Sequence, residues 1–528
     1  MNKALNIFNR IIAGCLMLAA VVVLVVSTFT TIYYDMHIDV DFPQYGKENI
    51  PLLAVLVAAV FLVFWLIYRA KGFQKSYIFL GLMLCFVTAY CLTLIFSIRP
   101  LPVDDSLFLD NAINDFMDGD YSSLTSGGGY LNTWPFQLGY VAFGQIMVSI
   151  FGKSNYFAWD IVQLFCILIT IYLIYKITWE LFEDEEVCGI VALLSMGALF
   201  FYNYVTYIYG DILSMAPQTL ALYMMVLYVK REKDGYALIS AISIALAVLL
   251  KTNSEVTLIA LVMILIGSAF RSNCQKVDGE NGEGTAADGN ATVIKTKSNL
   301  PRRLVNRIIL AVIMVLITFG AKAGVDAYYC HLTGLQEIPG GSPAWSHIAM
   351  GLQESELEDG WYNGYNYQVF GENGYDTEKT AEVAKANIME TLTDFAHRPL
   401  HACRFFLRKF TTQWADSVCI STHNLDLVSR HVENQPWLCD YLVFGQGSQV
   451  LIWVMNVFMS VCYLGVAIYL FQILVRRHAT TEEMLILILI FGGIVFHEFW
   501  EGASRYTMRY YIYWLPYAAY GIKKLVKR

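Results

Sequence analysis

Two adjacent carboxylates, Asp104 and Asp105, open the run DDSLFLDNAINDFMDGD, and Asp110, Asp115, Asp118 and Asp120 follow closely. A carboxylate just beyond an apolar segment can take a proton from a hydroxyl as a general base, or hold a metal that does. The structural alternative is a solvated loop in which Asp104 or Asp105 caps a helix over Ser106–Met117. Leu107, Asn111, Asn114 and Asp118 would share a face of that helix. Asp211 recurs at the start of an apolar run, in YIYGDILSMAPQ. Inside hydrocarbon it would cost about 2.5–3.5 kcal/mol on insertion scales, which argues for function, whereas at a span end it simply reaches water. Lys251 and Glu255 share a turn, LLKTNSE, where they either pair with each other or leave Lys251 for a phosphate.

The last such turn reads HEFWEGASRYTMRYYIYWLP and gathers His497, Glu498, Glu501, Arg505 and Arg509. On one helix Glu501 and Arg505 are i,i+4 neighbours, as are Arg505 and Arg509. That spacing gives either an ion-paired turn or an arginine free to read a phosphate with its planar fork. His397 and His401 also stand four apart, but a His pair without a third ligand is weak evidence for metal. Tyr121–Tyr130 (YSSLTSGGGY) lacks the Lys-Ser/Thr of a P-loop and reads as a flexible hinge.

These residues need elements to hold them, and composition says which. Of 528 residues 57% are hydrophobic and only 15% charged, against about 45–50% and about 25% in soluble domains. Crossing hydrocarbon takes about 20 apolar residues per helix. Twelve spans are expected, near 8–32, 51–68, 77–97, 157–181, 187–205, 209–229, 236–252, 254–270, 308–330, 450–475, 482–499 and 506–522. The fold class is therefore an all-α polytopic membrane protein. Lys3 and Arg10 before the first run resemble a signal peptide, but the run is long and has no small-residue cleavage site, so it reads as a retained span. The net charge of −8 sums over two sides of a membrane and identifies no partner; nothing points to nucleic acid. The cysteines lack metal-type spacing, and Cys330, Cys403, Cys419 and Cys439 suggest a disulfide only weakly.

Basic residues set the orientation. With the N-terminus inside, Arg69, Lys71, Lys75, then Lys230, Arg231, Lys233, then Arg476, Arg477, and finally Lys523, Lys524, Lys527 and Arg528 all fall on inner segments. Both termini are then cytoplasmic, and the protein is a multi-pass protein of the cell membrane. Trp134–Phe151 is apolar enough to cross, but a crossing there would turn every later basic cluster outward, so it reads as an outer interfacial or re-entrant segment. The domain order is 1–97, N-terminal spans; 98–156, a first outer loop with the acidic motif and interfacial segment; 157–270, spans; 271–307, an inner loop whose DGENGEGTAADGN should be disordered; 308–330, a span; 331–449, a large outer loop; and 450–528, C-terminal spans. The Asn290 sequon falls on the inner loop and is not read as glycosylated. Phe395–Trp414 reads as an amphipathic interfacial helix with Arg404, Arg408 and Lys409 at headgroups.

Taken together, these motifs resemble the membrane glycosyltransferases of the GT-C superfamily, nearest the branch of protein O-mannosyltransferases and bacterial aminoarabinose transferases. The resemblance rests on Asp104-Asp105 opening the first large outer loop, an interfacial segment after it, Asp211 at an outer span start, and Arg505-Tyr506 before a Pro-containing last span. MGLQESELEDGWYNGYN and RKFTTQW look like an uncharacterised clostridial-type branch. The sequence departs in placing two spans before the one that leads into the Asp-Asp loop, and in reading Trp134-Pro135-Phe136 where a Pro-Pro is usual. The resemblance implies a hexosyl- or pentosyltransferase with a polyprenyl-phosphate sugar donor among the membrane lipids and an extracytoplasmic acceptor: protein, lipid or envelope glycan. Asp104 or Asp105 would be the base; Asp211, Lys251, Glu498, Glu501, Arg505 and Arg509 would line the substrate site. No cofactor is required by the pattern, and a divalent metal is admitted by it. The alternatives are a transporter or flippase of lipid-linked sugars, and a non-catalytic membrane scaffold.

Overall fold

The structure is a computed structural model that describes residues 2–270 and 300–527. The Asn290 sequon and the acidic tract around it lie outside the described residues. The chain is almost wholly helical. Helix α1 (Asn2–Phe29) runs into a short antiparallel hairpin, β1 (Thr30–Tyr34) and β2 (Pro43–Lys47), which the sequence reading did not foresee. Then come α2 (Ile50–Arg69), α3 (Ser76–Ser97), α4 (Asp104–Met117), α5 (Leu138–Phe151) and α6 (Tyr156–Phe182). They are followed by α7 (Glu185–Ser195), α8 (Gly210–Arg231), α9 (Asp234–Leu250), α10 (Glu255–Gly267) and α11 (Leu300–Thr333). The large loop holds α12 (Ala344–Gly351), α13 (Tyr365–Glu372), α14 (Thr377–His397), α15 (Pro399–Trp414) and α16 (Ser421–Ser429). The chain ends in α17 (Gln446–Val475), α18 (Thr481–Phe499), α19 (Ser504–Tyr511) and α20 (Leu515–Val526).

Among the described residues eight helices are long and apolar enough to cross a membrane, or nine counting one bent pair. The other expected spans are helical but do not meet that measure: α9 is short, α18 carries Glu482, Glu483 and Glu498, and the last span is broken. Residues 187–205 were expected as one span. They form α7 and a second segment, Leu199–Thr206, bent by 58°. The break falls at Gly197, where the Phe458 ring packs so closely that a Cβ would meet it at 2.6 Å. The last span stops after Tyr511 in a tight turn, and Pro516 sits at the start of α20, where its missing N–H does no harm.

Packing makes one bundle. Helix α8 lies between α6 and α9, α9 packs on α11, and α17 packs on α1 and α20. At one end basic and acidic groups gather: Lys230 with Glu180 and Glu183, Lys523 with Asp184 and Glu186, and Arg477 with Glu483. Asp104, the hairpin and the large loop gather at the other end. Helix α5 stays at that end along its length. Gln137, just before it, donates to Tyr209 at 2.8 Å, its Gln145 accepts from Tyr329 at 2.7 Å, and Lys153 just after it pairs with Asp118 at 2.6 Å.

The large loop corrects three expectations. The helix expected over 395–414 is two helices broken at Arg398-Pro399, because proline disfavours helical geometry in the residue before it. His397 and His401 therefore do not share a helix face; His397 bonds the Thr393 carbonyl and His401 lies 3.7 Å from Glu354. Lys409 does not reach headgroups: it is buried, and its ammonium donates to the carbonyls of Gly351, Glu498 and Trp500. Arg408 pairs with Glu358 at 2.8 Å. Cys330, Cys403, Cys419 and Cys439 are free thiols.

Candidate active site

Neither Asp104 nor Asp105 caps a helix. Helix α4 begins at Asp104 itself, two residues earlier than expected, and the Ser106 hydroxyl takes the Val103 N–H. Both carboxylates are thereby left for other partners. Asp105 accepts from the Tyr130 hydroxyl at 3.1 Å and lies 3.5 Å from that of Tyr209. Asp104 has no such donors among the described residues. It takes a left-handed backbone (φ 47°), a conformation that costs a non-glycine residue on the order of 1–3 kcal/mol and is concentrated at functional sites. Asp104 touches solvent at the rim, yet enough protein surrounds it that desolvation raises its pKa. The charges of Asp41 and Asp105 add to the rise; Arg505 and His423 oppose it.

The tract expected to be a flexible hinge is closely packed. A Cβ on Gly129 would meet the Ser123 carbonyl oxygen at 2.3 Å, and Tyr375 covers Gly127 and Gly128. That packing holds Tyr130 over Asp105.

Asp211 sits in the first turn of α8, buried, with the Lys251 ammonium 3.5 Å away. The approach depends on Gly210, whose absent Cβ would stand 2.2 Å from the Leu250 carbonyl oxygen. Lys251 also lies 3.8 Å from the centre of the Tyr209 ring. It does not pair with Glu255, which binds Lys322 at 3.0 Å instead.

Helix α19 carries Arg505 and Arg509 one turn apart. Arg509 is buried and donates to Ser214 at 2.7 Å and Ser254 at 3.3 Å. Arg505 donates to Tyr207 at 2.9 Å, and its guanidinium stands 5.5–5.8 Å from the ring centres of Tyr207, Tyr209 and Tyr506. No carboxylate among the described residues comes within ion-pair distance of either arginine. Of the two readings of that spacing, the Glu501–Arg505 ion pair does not form, because Glu501 precedes α19; Glu501 accepts from Tyr506 at 2.9 Å and faces His347 at 3.8 Å. Glu498 lies apart, next to Lys409.

Lys251, Arg505 and Arg509 all act on the single buried carboxylate of Asp211. Arg505 also acts on Asp104, and Lys251 on Asp105, so acids and cations form one network in which neither arginine has a carboxylate at ion-pair distance among the described residues. Among the described residues no three His, Cys, Asp or Glu side chains converge as a metal site. Two clefts, of about 350 and 520 Å³, lie beside the hairpin; neither is lined by Asp104 or Arg505.

Residues 138–278 match the family described as dolichyl-phosphate-mannose-protein mannosyltransferase. The chain resembles the GT-C membrane glycosyltransferases. The match spans Asp211 and Lys251 and leaves Asp104, Asp105 and Arg505 outside it. A search of curated proteins finds no match to the chain. Among solved structures, ArnT from Cupriavidus metallidurans in the apo state is 10% identical, covering 84% of this chain and 77% of that one at a TM-score of 0.32. The same protein bound to undecaprenyl phosphate is 12% identical, covering 83% and 77% at 0.29. At that level the superposition carries no weight for chemistry.

Of the residues expected in the site, Asp104, Asp105, Asp211, Lys251, Arg505 and Arg509 lie within electrostatic reach of one another, whereas Glu498 stands beside Lys409 and Glu501 against Tyr506 and His347. The sequence reading missed Tyr130, Tyr207, Tyr209 and Tyr506, which join the acids to the cations, and Asp41 and His423. Tyrosine is so frequent here, 34 residues, that type alone distinguishes none of them.

Proposed function

We propose that the protein is a membrane glycosyltransferase that moves a sugar from a polyprenyl-phosphate carrier to a hydroxyl on an acceptor outside the cell. The observation that carries this reading is the convergence, at one end of the bundle, of Asp104, which has no hydrogen-bond donor among the described residues, with Arg505, which has no carboxylate at ion-pair distance there. The matched family is named for a sugar carried on dolichyl phosphate, which supplies both a leaving phosphate and a membrane-bound donor. The basic clusters at the opposite end mark the cytoplasmic side under the positive-inside rule.

Asp104 is the base and Asp105 the orienting partner, since Tyr130 already satisfies Asp105. Asp104 takes the proton of the acceptor hydroxyl as its oxygen attacks the anomeric carbon. The bond from that carbon to the phosphate oxygen breaks, and its electron pair leaves with the polyprenyl phosphate. Arg505, with Lys251 and Arg509 behind it, meets the charge that grows on the phosphate, where a fixed donor contributes most. Attack opposite the leaving group inverts the anomeric centre.

The test uses the full chain in nanodiscs, offered a radiolabelled polyprenyl-phosphate hexose and native membranes as acceptor. Asp104→Asn should abolish transfer; Asp105→Asn should retain a measurable fraction. Wild-type transfer by Asp104→Asn would remove Asp104 as the base.

A further inference from the structure

The cleft of about 350 Å³ lies between the hairpin and the first turns of α2 and α17. Helix α2 buries only Leu53 and Phe64, and Leu52 on it and Trp453 on α17 are exposed. This side of the cleft, with Leu56 and Val457, therefore faces hydrocarbon, and Trp453 stands where an indole is favoured, near the headgroups. The side nearest the hairpin is polar and carries two charges, Lys47 and Glu48. Neutral donors fix the Glu48 carboxylate: Thr31 donates to it, Asn456 does so at 3.1 Å, and the Asn49 N–H at 3.0 Å. Asn456 is held in turn, donating to Thr31 at 3.0 Å and accepting from Ser417. A carboxylate offers about four lone-pair positions, so one is left. Neither Glu48 nor the exposed Lys47 has an ion-pair partner among the described residues. The cleft thus presents one anion and one cation beside an apolar wall.

We propose that this cleft binds a phospholipid with a zwitterionic phosphoethanolamine head, its ammonium on Glu48, its phosphate at Lys47 and its acyl chains along Leu52, Leu56 and Trp453. A carboxylate without a counter-charge at the edge of hydrocarbon is costly, and a charged donor makes the stronger hydrogen bond to it. A wholly anionic head would meet Glu48 with like charge. A choline head has no N–H for the remaining lone pair. The primary ammonium of an ethanolamine head supplies both the charge and the proton, and the phosphate beside it matches Lys47. Neither Asp104 nor Arg505 lines the cleft, so the lipid is a bound partner and not the reacting carrier, and the inference does not depend on the transfer chemistry. Its anchor does continue toward the candidate site. Ser417 follows Asp416, which accepts from Tyr34 at 3.0 Å and from Ser504, the residue before Arg505.

The test counts lipids and needs no substrate. The full chain, purified in detergent and stripped of lipid, is titrated with phosphatidylethanolamine, phosphatidylglycerol or phosphatidylcholine of identical acyl chains, and bound lipid is counted by native mass spectrometry. One ethanolamine lipid should bind roughly tenfold more tightly than either of the others, the scale of one charge-assisted hydrogen bond. Glu48→Gln should lower that affinity roughly tenfold and remove the preference over the choline lipid. If Glu48→Gln is not recovered folded, Lys47→Gln serves as the second variant, because Lys47 is exposed; it should weaken the ethanolamine and glycerol lipids alike. Equal binding of the three lipids overturns the inference, as does an unchanged ethanolamine affinity in either folded variant. Equally tight binding of tail-less glycerophosphoethanolamine also overturns it, because the apolar wall would then contribute nothing.

Discussion

Arg505→Gln separates an arginine kept for a ligand from one kept for the fold. In the resting protein Arg505 makes one hydrogen bond, to Tyr207, and no ion pair among the described residues. Losing a single hydrogen bond of this kind costs about 1 kcal/mol of stability. Arg430 is the contrast. It pairs with the fully buried Asp426 at 2.6 Å as well as with Asp39, and removing the charged partner of a buried carboxylate costs about 3–5 kcal/mol. For catalysis the order reverses. A fixed donor facing charge that develops in the transition state contributes about 2.7–4 kcal/mol, so Arg505→Gln should lower the rate of transfer roughly 100- to 1,000-fold. Thermal unfolding and transfer from a radiolabelled polyprenyl-phosphate hexose, measured on both variants in nanodiscs, give the comparison. Arg505→Gln should be nearly as stable as wild type and nearly inactive, and Arg430→Gln should unfold well below both. If Arg505→Gln transfers at the wild-type rate, or unfolds as early as Arg430→Gln, the assignment of Arg505 to the leaving phosphate is wrong.

Asp104 should trade stability for function. Its pKa is raised in the fold, so its ionisation costs folding energy at pH values above that pKa, and the cost disappears as pH falls below it. Asp104→Asn should thus unfold at the same temperature as wild type or above it at neutral pH, with the difference shrinking in acid; asparagine also tolerates the left-handed backbone there. Transfer by the wild type should fall with decreasing pH, from a higher pH than an unperturbed aspartate would give, as read from the acid limb of kcat/KM. Gly210→Ala should lower both the unfolding temperature and the rate, because the new methyl forces α8 away from Leu250 and separates Asp211 from Lys251. Lys409→Met should cost roughly 3 kcal/mol or more in thermal unfolding, since two carbonyls at the C-terminal end of α18 and that of Gly351 at the end of α12 lose their donor.

Much of the bundle was legible because a membrane constrains sequence strongly. Apolar runs of the right length and the basic residues between them located the helices, and they set Trp134–Phe151 aside as a segment that stays with Asp104. Pro516 and Pro399 each stand at a break, and the expected span over 506–522 and helix over 395–414 run through both. An amphipathic face continues on both sides of Pro399, and periodicity alone does not reveal where the chain turns. Local i,i+4 spacing left the pairing of Glu501 and Arg505 open, and the start of the helix three residues after the glutamate decides it.

By itself the sequence determined that the chain is a helical membrane protein and which charged residues stand at the ends of its helices. Insertion energetics act on each segment separately, so they can be read segment by segment. Only the tertiary structure decided which charges share a site. Lys251 chooses Asp211 over the nearby Glu255, Tyr130 occupies Asp105 and leaves Asp104 free, and a hairpin near the start of the chain sets Asp41 against His423 in the large loop. Those choices depend on how helices approach one another, through contacts such as Gly210 on Leu250, and such contacts leave no periodic mark on the sequence.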